Sequence, residues 1–257
     1  VLATWNGDYL YVDGLTRLDV ETAKILVKRK RFHLSLNGVT QLEPNVVKTL
    51  FQWEGFSIAL NGLKNIDKDF IQMLENWTGK FLFIGGVTSL KPSLLADLSQ
   101  QKGKVVSLYG ITEMNTEMAE VLVANKDDQV LSNMNISSID EEVALILSRW
   151  KGYQLSLNGL TELKPSIAKI LIKLNAGLLL NGLTELDVET ATILSQFKGR
   201  EYSSFLSLNG LTSLDKDVAK ALFQLGGTKR DVTLSLGGIT DLDANIIQNI
   251  PLFNGKK

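Results

Sequence analysis

The chain repeats one phrase, and this repetition constrains its fold more than any other feature. The phrase LSLNGLTEL occupies residues 155–163, and close copies occupy residues 178–186 and 206–214. Weaker copies cover the rest of the chain, with Asn135 in the place of the glycine in the sixth copy. The glycines of the phrase are Gly14, Gly38, Gly62, Gly86, Gly110, Gly159, Gly182, Gly210 and Gly238. About ten copies, 23 to 28 residues apart, predict a single repeat solenoid domain over residues 1–257.

Each copy has the pattern of a short strand followed by a short helix. Counted from the first leucine of the phrase, positions 1 and 3 are aliphatic in nearly every copy, which predicts a strand with one buried face. The glycine at position 5 predicts positive φ or a close backbone approach. Asp or Asn is frequent at position 10, and position 11 carries Pro44, Pro92 and Pro165, which are signals of a helix start. An aromatic residue at position 20 and a glycine two residues later, as at Trp53 and Gly55, predict the helix end.

These units predict an α/β fold. A unit of about 24 residues buries too little apolar surface to be stable alone, so neighbouring units must stack. Stacking aligns the strands into one parallel sheet. Because helices are wider than strands, we expect the sheet on the concave side of the solenoid and the short helices on its convex side.

The pattern resembles the leucine-rich-repeat family. The matching residues are the L-x-L segments at 34–36, 155–157 and 206–208, with the later apolar positions and the helix. The resemblance covers essentially the whole chain. It departs from the best-known pattern, because Asn follows the second Leu directly, as in Asn37 and Asn158, and so looks closer to bacterial variants found in long arrays. The resemblance implies a right-handed solenoid that binds protein, sometimes glycan, and does not imply catalysis.

Composition excludes several kinds of chemistry. The chain has no cysteine and one histidine, His33, which excludes thiolate nucleophiles, Cys-ligated metals and His-rich metal sites. The net charge of -1 gives no drive toward nucleic acid. No apolar run approaches the ~20 residues that span a bilayer, so we expect no membrane insertion. We therefore expect neither a cofactor nor a metal.

His33 and the paired acids were each weighed as sites. A Ser–His–Asp triad would have to use His33, but the chain lacks nucleophile-elbow and phosphate-loop motifs, and a surface histidine is favoured. Two interpretations apply to the acid pairs Asp67/Asp69, Asp215/Asp217 and Asp241/Asp243. They are compatible with calcium sites, but residues at helix N-termini, where negative charge is favourable, are the favoured interpretation. The basic run at residues 28–31 is interpreted as a solvated helix C-terminus. The sequence thus predicts a protein that is not an enzyme.

Aromatic residues identify a candidate contact surface. Tyr9, Tyr11, His33, Phe81 and Phe83 occupy position 0, just before the phrase, or position 2. These positions point away from the buried positions 1 and 3, so we expect the five side chains on the concave face. Aromatic residues dominate interface energetics, and a protein partner is the favoured ligand.

Alternatives remain open. Tyr9 and Tyr11 are compatible with a carbohydrate-binding surface. The apolar ends, with Trp5 and Phe253, suggest either a segment cut from a longer array or a building block that stacks end to end. The lack of cysteine favours an extracellular or cell-surface location. Asn133 replaces a core aliphatic residue, and we expect it to need hydrogen-bond partners.

Overall fold

A computed structural model of the chain describes residues 7–28, 32–101, 103–125, 131–132, 134–200, 204–227 and 232–241. Its packing divides the chain into two compact units. The first unit comprises residues 1–112 and 127–134, and the second comprises residues 113–126 and 135–257. Strands and helices alternate along both, which confirms the α/β class.

Each unit contains one parallel sheet. The first sheet joins, in sequence order, β1 (Tyr9–Tyr11), β2 (His33–Ser35), β3 (Ser57–Ala59), β4 (Phe81–Phe83), β5 (Val105–Ser107) and β6 (Leu131–Ser132). The second sheet joins β7 (Gln154–Ser156), β8 (Gly177–Leu179), β9 (Ser204–Ser207) and β10 (Val232–Ser235). Register follows the repeat, so that Tyr9 pairs with His33 and His33 with Ser57. Equal positions of successive copies therefore lie side by side.

A helix follows each of the first nine strands. The helices are α1 (Val20–Val27), α2 (Pro44–Leu50), α3 (Lys68–Leu74), α4 (Pro92–Ser99), α5 (Thr116–Ala124), α6 (Glu141–Leu147), α7 (Pro165–Leu171), α8 (Val188–Leu194) and α9 (Lys216–Leu222). A 3-10 segment, Phe223–Gly227, follows α9.

The predicted helix-start signals are confirmed, and they act in different copies. Asp19 and Asp67 cap their helices by accepting the backbone N–H three residues later, at 2.7 and 2.8 Å. Pro44 and Pro92 each occupy the first helical position, where no side-chain cap is present. The chain thus uses either a capping carboxylate or a proline with fixed φ to begin a helix.

The cores are built from the repeated aliphatic positions. Leu34 and Leu36 of the second copy are 2% and 0% exposed, and Ala23 and Leu26 of α1 are 0% and 5% exposed. The small residue at position 14 and the leucine at position 17 therefore form the buried stripe of the helix. Burial of such side chains is the main stabilising contribution in each unit.

The glycine at position 5 is required by close packing of successive copies. A Cβ atom on Gly38 would overlap the backbone carbonyl oxygens of Asp13 and Leu15 in the preceding copy. Gly62 and Gly86 meet the preceding copy in the same way. Close backbone approach, rather than positive φ, therefore explains this position.

The helices end earlier than the sequence suggested. In the second copy α2 ends at Leu50, and Trp53 follows it as a buried side chain, 1% exposed. A Cβ atom on Gly55 would overlap the ring of Trp53. The expectation that Gly55 stops the helix is therefore wrong. This glycine makes room for the indole.

A ladder of side-chain acceptors joins position 4 of consecutive copies. Asn61 N donates to Asn37 Oδ1 (3.0 Å), and Gly85 N donates to Asn61 Oδ1 (2.8 Å). In the second unit Asn181 N donates to Asn158 Oδ1 at 3.0 Å. The asparagines therefore satisfy backbone donors at the sheet edge.

Several sequence expectations fall outside the described residues. These are Trp5 and Phe253 at the two ends, Asn133, and residues 29–31 of the basic run. The single-domain organisation, the number of copies, the handedness and the concave position of the sheet stay predictions.

Candidate partner-binding face

The five aromatic residues singled out from the sequence lie in two rows across the first sheet. Position 0 contributes Tyr9, His33 and Phe81, and position 2 contributes Tyr11 and Phe83. The tyrosines are 51% and 64% exposed, while the other three are half-buried. That these residues bind a partner stays a prediction.

Two phenylalanines that the sequence analysis missed join the same surface. Phe32 and Phe56 stand one residue before their strands, are 47% and 38% exposed, and stack with ring centroids 4.7 Å apart. Phe32 also contacts Tyr9 at 5.8 Å, and Phe56 contacts Phe81 at 5.2 Å. Both were missed because the analysis considered only positions 0 and 2.

The rings form one connected surface, which we call the aromatic face. His33 lies at its centre, with centroids 5.6 Å from Tyr11, 6.2 Å from Tyr9 and 6.5 Å from Phe83. Phe81 and Phe83 stack at 6.4 Å. The aromatic face comprises Tyr9, Tyr11, Phe32, His33, Phe56, Phe81 and Phe83.

The small residues of these rows are covered rather than exposed. Ser35, Ser57 and Ala59 are 1%, 5% and 5% exposed, although they belong to the outward positions 0 and 2. The outward positions of this sheet therefore present little of these small side chains to solvent. The surface offered to a ligand is mainly aromatic.

Burial changes the electrostatics of His33. Loss of solvent around the imidazole lowers the pKa of His33 below its ordinary value of 6.5, and the negative charge of Asp13 partly opposes this shift. Nδ1 of His33 lies 2.7 Å from Ser57 Oγ, within hydrogen-bonding distance. His33 is therefore neutral at pH 7 and packs as an aromatic ring.

The contact between His33 and Ser57 does not form a nucleophile–base pair that a substrate could use. Ser57 is only 5% exposed. Asp13, which would have to orient the imidazole, instead accepts hydrogen bonds from Ser35 Oγ (2.6 Å) and Asn37 N (2.8 Å). A working triad needs an accessible nucleophile and a carboxylate bonded to the histidine, and this arrangement provides neither.

Asp13 occupies position 4 of the first copy, where five later copies carry asparagine (Asn37, Asn61, Asn158, Asn181 and Asn209). Hydrogen bonds from the Ser35 hydroxyl and from Asn37 hold the pKa of Asp13 below its ordinary value, although partial burial opposes them. The carboxylate is therefore ionised at neutral pH. It places a negative charge beside the tyrosine end of the aromatic face.

Two lysines stand at the opposite corner of the sheet. Lys80 Nζ lies 5.6 Å from the centroid of the Phe81 ring, a cation–π distance. Lys104, which precedes β5, is 9% exposed, and burial lowers the pKa of its ammonium group. The face therefore has a carboxylate, Asp13, near β1 and an ammonium group, Lys80, near β4.

The structure supports the helix-cap interpretation of the acid pairs. Asp67 accepts from Phe70 N, and Asp215 accepts from Asp217 N and Val218 N. Asp243 lies outside the described residues. The described part of the chain has no cluster of three or more acidic or histidine side chains suited to a metal, and no helix in it is long and apolar enough to cross a bilayer.

Solved structures are among the proteins to which this chain is similar. An internalin from Listeria monocytogenes, known from a crystal structure, is 18% identical to this chain with a TM-score of 0.42, over 92% of this chain and 80% of that one. No family model and no curated protein matches the chain. A likeness this distant assigns no function, and the function is argued below from the aromatic face.

Proposed function

We propose that this chain is a non-enzymatic interaction scaffold that binds a protein partner through its aromatic face. The observation that supports the proposal is the connected set of seven rings on one side of the first sheet. Soluble proteins seldom expose contiguous apolar surface without a use. Aromatic side chains lose little conformational entropy on binding, which makes them effective contact residues.

The size of the face suits a protein segment. The rings extend from β1 to β4, and neighbouring strands are about 4.8 Å apart, so the rows cover roughly 15 Å across the strands. Several side chains of a partner fit on such a surface. The sequence resemblance implies the same use, a solenoid that holds its partner on the concave side of the sheet, with an extracellular or cell-surface location.

Carbohydrate is the second candidate ligand. Tyr9 and Tyr11 are the most exposed rings of the face, and Asp13 beside them accepts hydrogen bonds. Exposed rings next to a polar acceptor suit a sugar as well as a peptide. End-to-end assembly is a third candidate, and the sedimentation behaviour of the intact chain tests it.

Parallel peptide and glycan arrays test the proposal. We expect the labelled intact chain to bind peptide features, and the double variant Tyr11→Ser/Phe83→Ser to lose at least tenfold in affinity. The matched control is Tyr153→Ser/Phe205→Ser, which removes an aromatic pair 5.9 Å apart from the second unit. Equal loss in both double variants, or binding to glycans alone, would contradict a protein-binding aromatic face.

A further inference from the structure

We infer that Asp13 and Tyr11 form a subsite for an arginine or lysine side chain of the partner. This inference rests on the proposed function, because it assigns the chemistry of one corner of the aromatic face.

The ladder needs an acceptor at position 4, but it does not need a charge. Asn209 Oδ1 accepts from Gly237 N (2.6 Å) and Ser235 Oγ (2.9 Å). Asp13 Oδ1 accepts the same two kinds of donor from the following copy, the backbone N–H at position 4 and the serine hydroxyl at position 2. An asparagine would serve equally well here, so the negative charge of Asp13 has no structural task in the ladder.

The geometry leaves the charge available to a ligand. Ser35 Oγ and Asn37 N both donate to Oδ1 of Asp13, and the residue is exposed, so that its carboxylate can accept a further donor from a ligand. Tyr11, two residues earlier, presents a ring that is 64% exposed. A guanidinium or ammonium group placed here gains a charge-assisted hydrogen bond and a cation–π contact together.

Asp13 pairs with no lysine or arginine among the residues that the structure describes. Its electrostatic neighbour in this part of the chain is His33, whose lowered pKa keeps the imidazole neutral at pH 7. The lysines of this sheet, Lys80 and Lys104, precede β4 and β5, whereas Asp13 follows β1. Charge complementarity therefore points to a partner segment that carries a cation next to apolar side chains.

Selection from a display library of random twelve-residue peptides tests the subsite on the intact chain. We expect selected peptides to carry Arg or Lys beside an apolar residue. Asp13→Asn keeps the ladder acceptor and should weaken the best peptide about five- to tenfold, because exposed ion pairs and cation–π contacts each contribute modestly. The matched control, Asn209→Asp, places a carboxylate in the same ladder of the second unit and should leave affinity unchanged.

A double-mutant cycle separates this inference from the proposed function. Replacing the peptide cation with Gln should weaken binding to the wild-type chain and have little effect on binding to Asp13→Asn. Additive effects would overturn the subsite, while loss of binding in Tyr11→Ser/Phe83→Ser would still support the aromatic face. If no selected peptide depends on Tyr11 and Phe83 for binding, both the subsite and the proposed function are contradicted. Unchanged denaturant unfolding of Asp13→Asn would exclude a merely structural effect.

Discussion

The outward faces of the two sheets are built on the same repeat and carry different side chains. In the first sheet position 0 reads Tyr9, His33, Ser57 and Phe81 across β1 to β4. In the second sheet, the residues at positions 0 and 2 are small or polar, apart from Leu179 and Phe205. The ring of Phe205 occupies the space that a Cβ on Gly177 would need. The inward faces of both sheets are the same aliphatic pattern.

This difference shows which positions the repeat constrains. Positions 1, 3 and 5 have the same neighbours in every copy, because each packs on its equivalent in the next copy. Positions −1, 0 and 2 lie on the other side of the sheet, and their side chains differ between copies. A row of large rings at such positions in the first unit, which the described residues of the second unit do not repeat, is therefore not required by the repeat and supports the proposed binding role.

The largest effect should come from the contact that both units share. Gly38→Ala and Gly182→Ala each place a methyl group against backbone carbonyls of the preceding copy, and we expect each to cost about 3 kcal/mol in unfolding free energy. Gly14→Ala is the control, because a Cβ there meets no atom within 4 Å. Chemical denaturation measures all three. Equal, small losses would mean that the two units do not depend on this close approach.

The acceptor ladder should show the next largest effect. Asn181 Oδ1 accepts from Asn209 N (2.9 Å) and Ser207 Oγ (2.7 Å), so Asn181→Ala leaves two donors without their partner and should cost about 1–2 kcal/mol. Asn181→Asp keeps the acceptor and should stay within about 0.5 kcal/mol of wild type. Thermal or urea unfolding distinguishes these variants. A stable alanine variant would show that water replaces the side chain at this edge.

A pH dependence should distinguish the first sheet through His33, the only histidine of the chain. Its folded-state pKa lies below the ordinary value of 6.5 because burial disfavours the imidazolium. The unfolded chain therefore takes up a proton more readily, so stability is full above about pH 6.5 and decreases as the pH falls through the folded-state pKa.

Two variants check that assignment. His33→Gln should remove the slope in stability between about pH 5 and 7. Asp13→Asn should lower the pKa of His33 further, because the charge of Asp13 raises it. Urea unfolding at a series of pH values measures the slope in stability, and NMR titration of the imidazole protons measures the pKa shift of His33 in Asp13→Asn. A pKa at or above 6.5 in the wild-type chain would contradict the half-buried position of the ring.

The smallest effect should come from the aromatic pair of the second unit. Tyr153 is 49% exposed and lies 5.9 Å from Phe205. Tyr153→Ser should cost about 0.5–1 kcal/mol of stability and leave the affinity for a peptide bound to the aromatic face unchanged. Calorimetric titration with that peptide is the measurement, and a weakened complex would extend the binding surface into the second unit.

The sequence predicted the repeated framework in detail because the framework depends on local patterns. Leu34 and Leu36 are buried as their period of two required, and Asp67 caps its helix as its position required. The sequence prediction placed the end of α2 too late. Trp53 is buried just after the helix, and in the sequence it fits the pattern of an apolar residue inside the helix. Packing in three dimensions decides such boundaries.

The candidate face was predicted only in part. Tyr9 and Tyr11 stand out because they interrupt a periodic pattern, whereas Phe32 and Phe56 lie just before the strands, where the pattern was not examined. The role of Asp13 depends on Ser35 and Asn37, more than twenty residues further along the chain. Only the register of the strands brings such residues together.

The ladder has a consequence for how an array of this kind changes in length. Its bonds join equal positions of consecutive copies whether the two residues are 23, 24 or 28 apart in the chain. Each of these hydrogen bonds therefore depends on the position of the residue within the repeat and not on the length of the connection between copies. A genetic exchange that deletes or duplicates a whole number of copies leaves a backbone N–H at position 4 of the next copy opposite each remaining asparagine. Homologous recombination can therefore lengthen or shorten such a gene without taking the donor away from these asparagines.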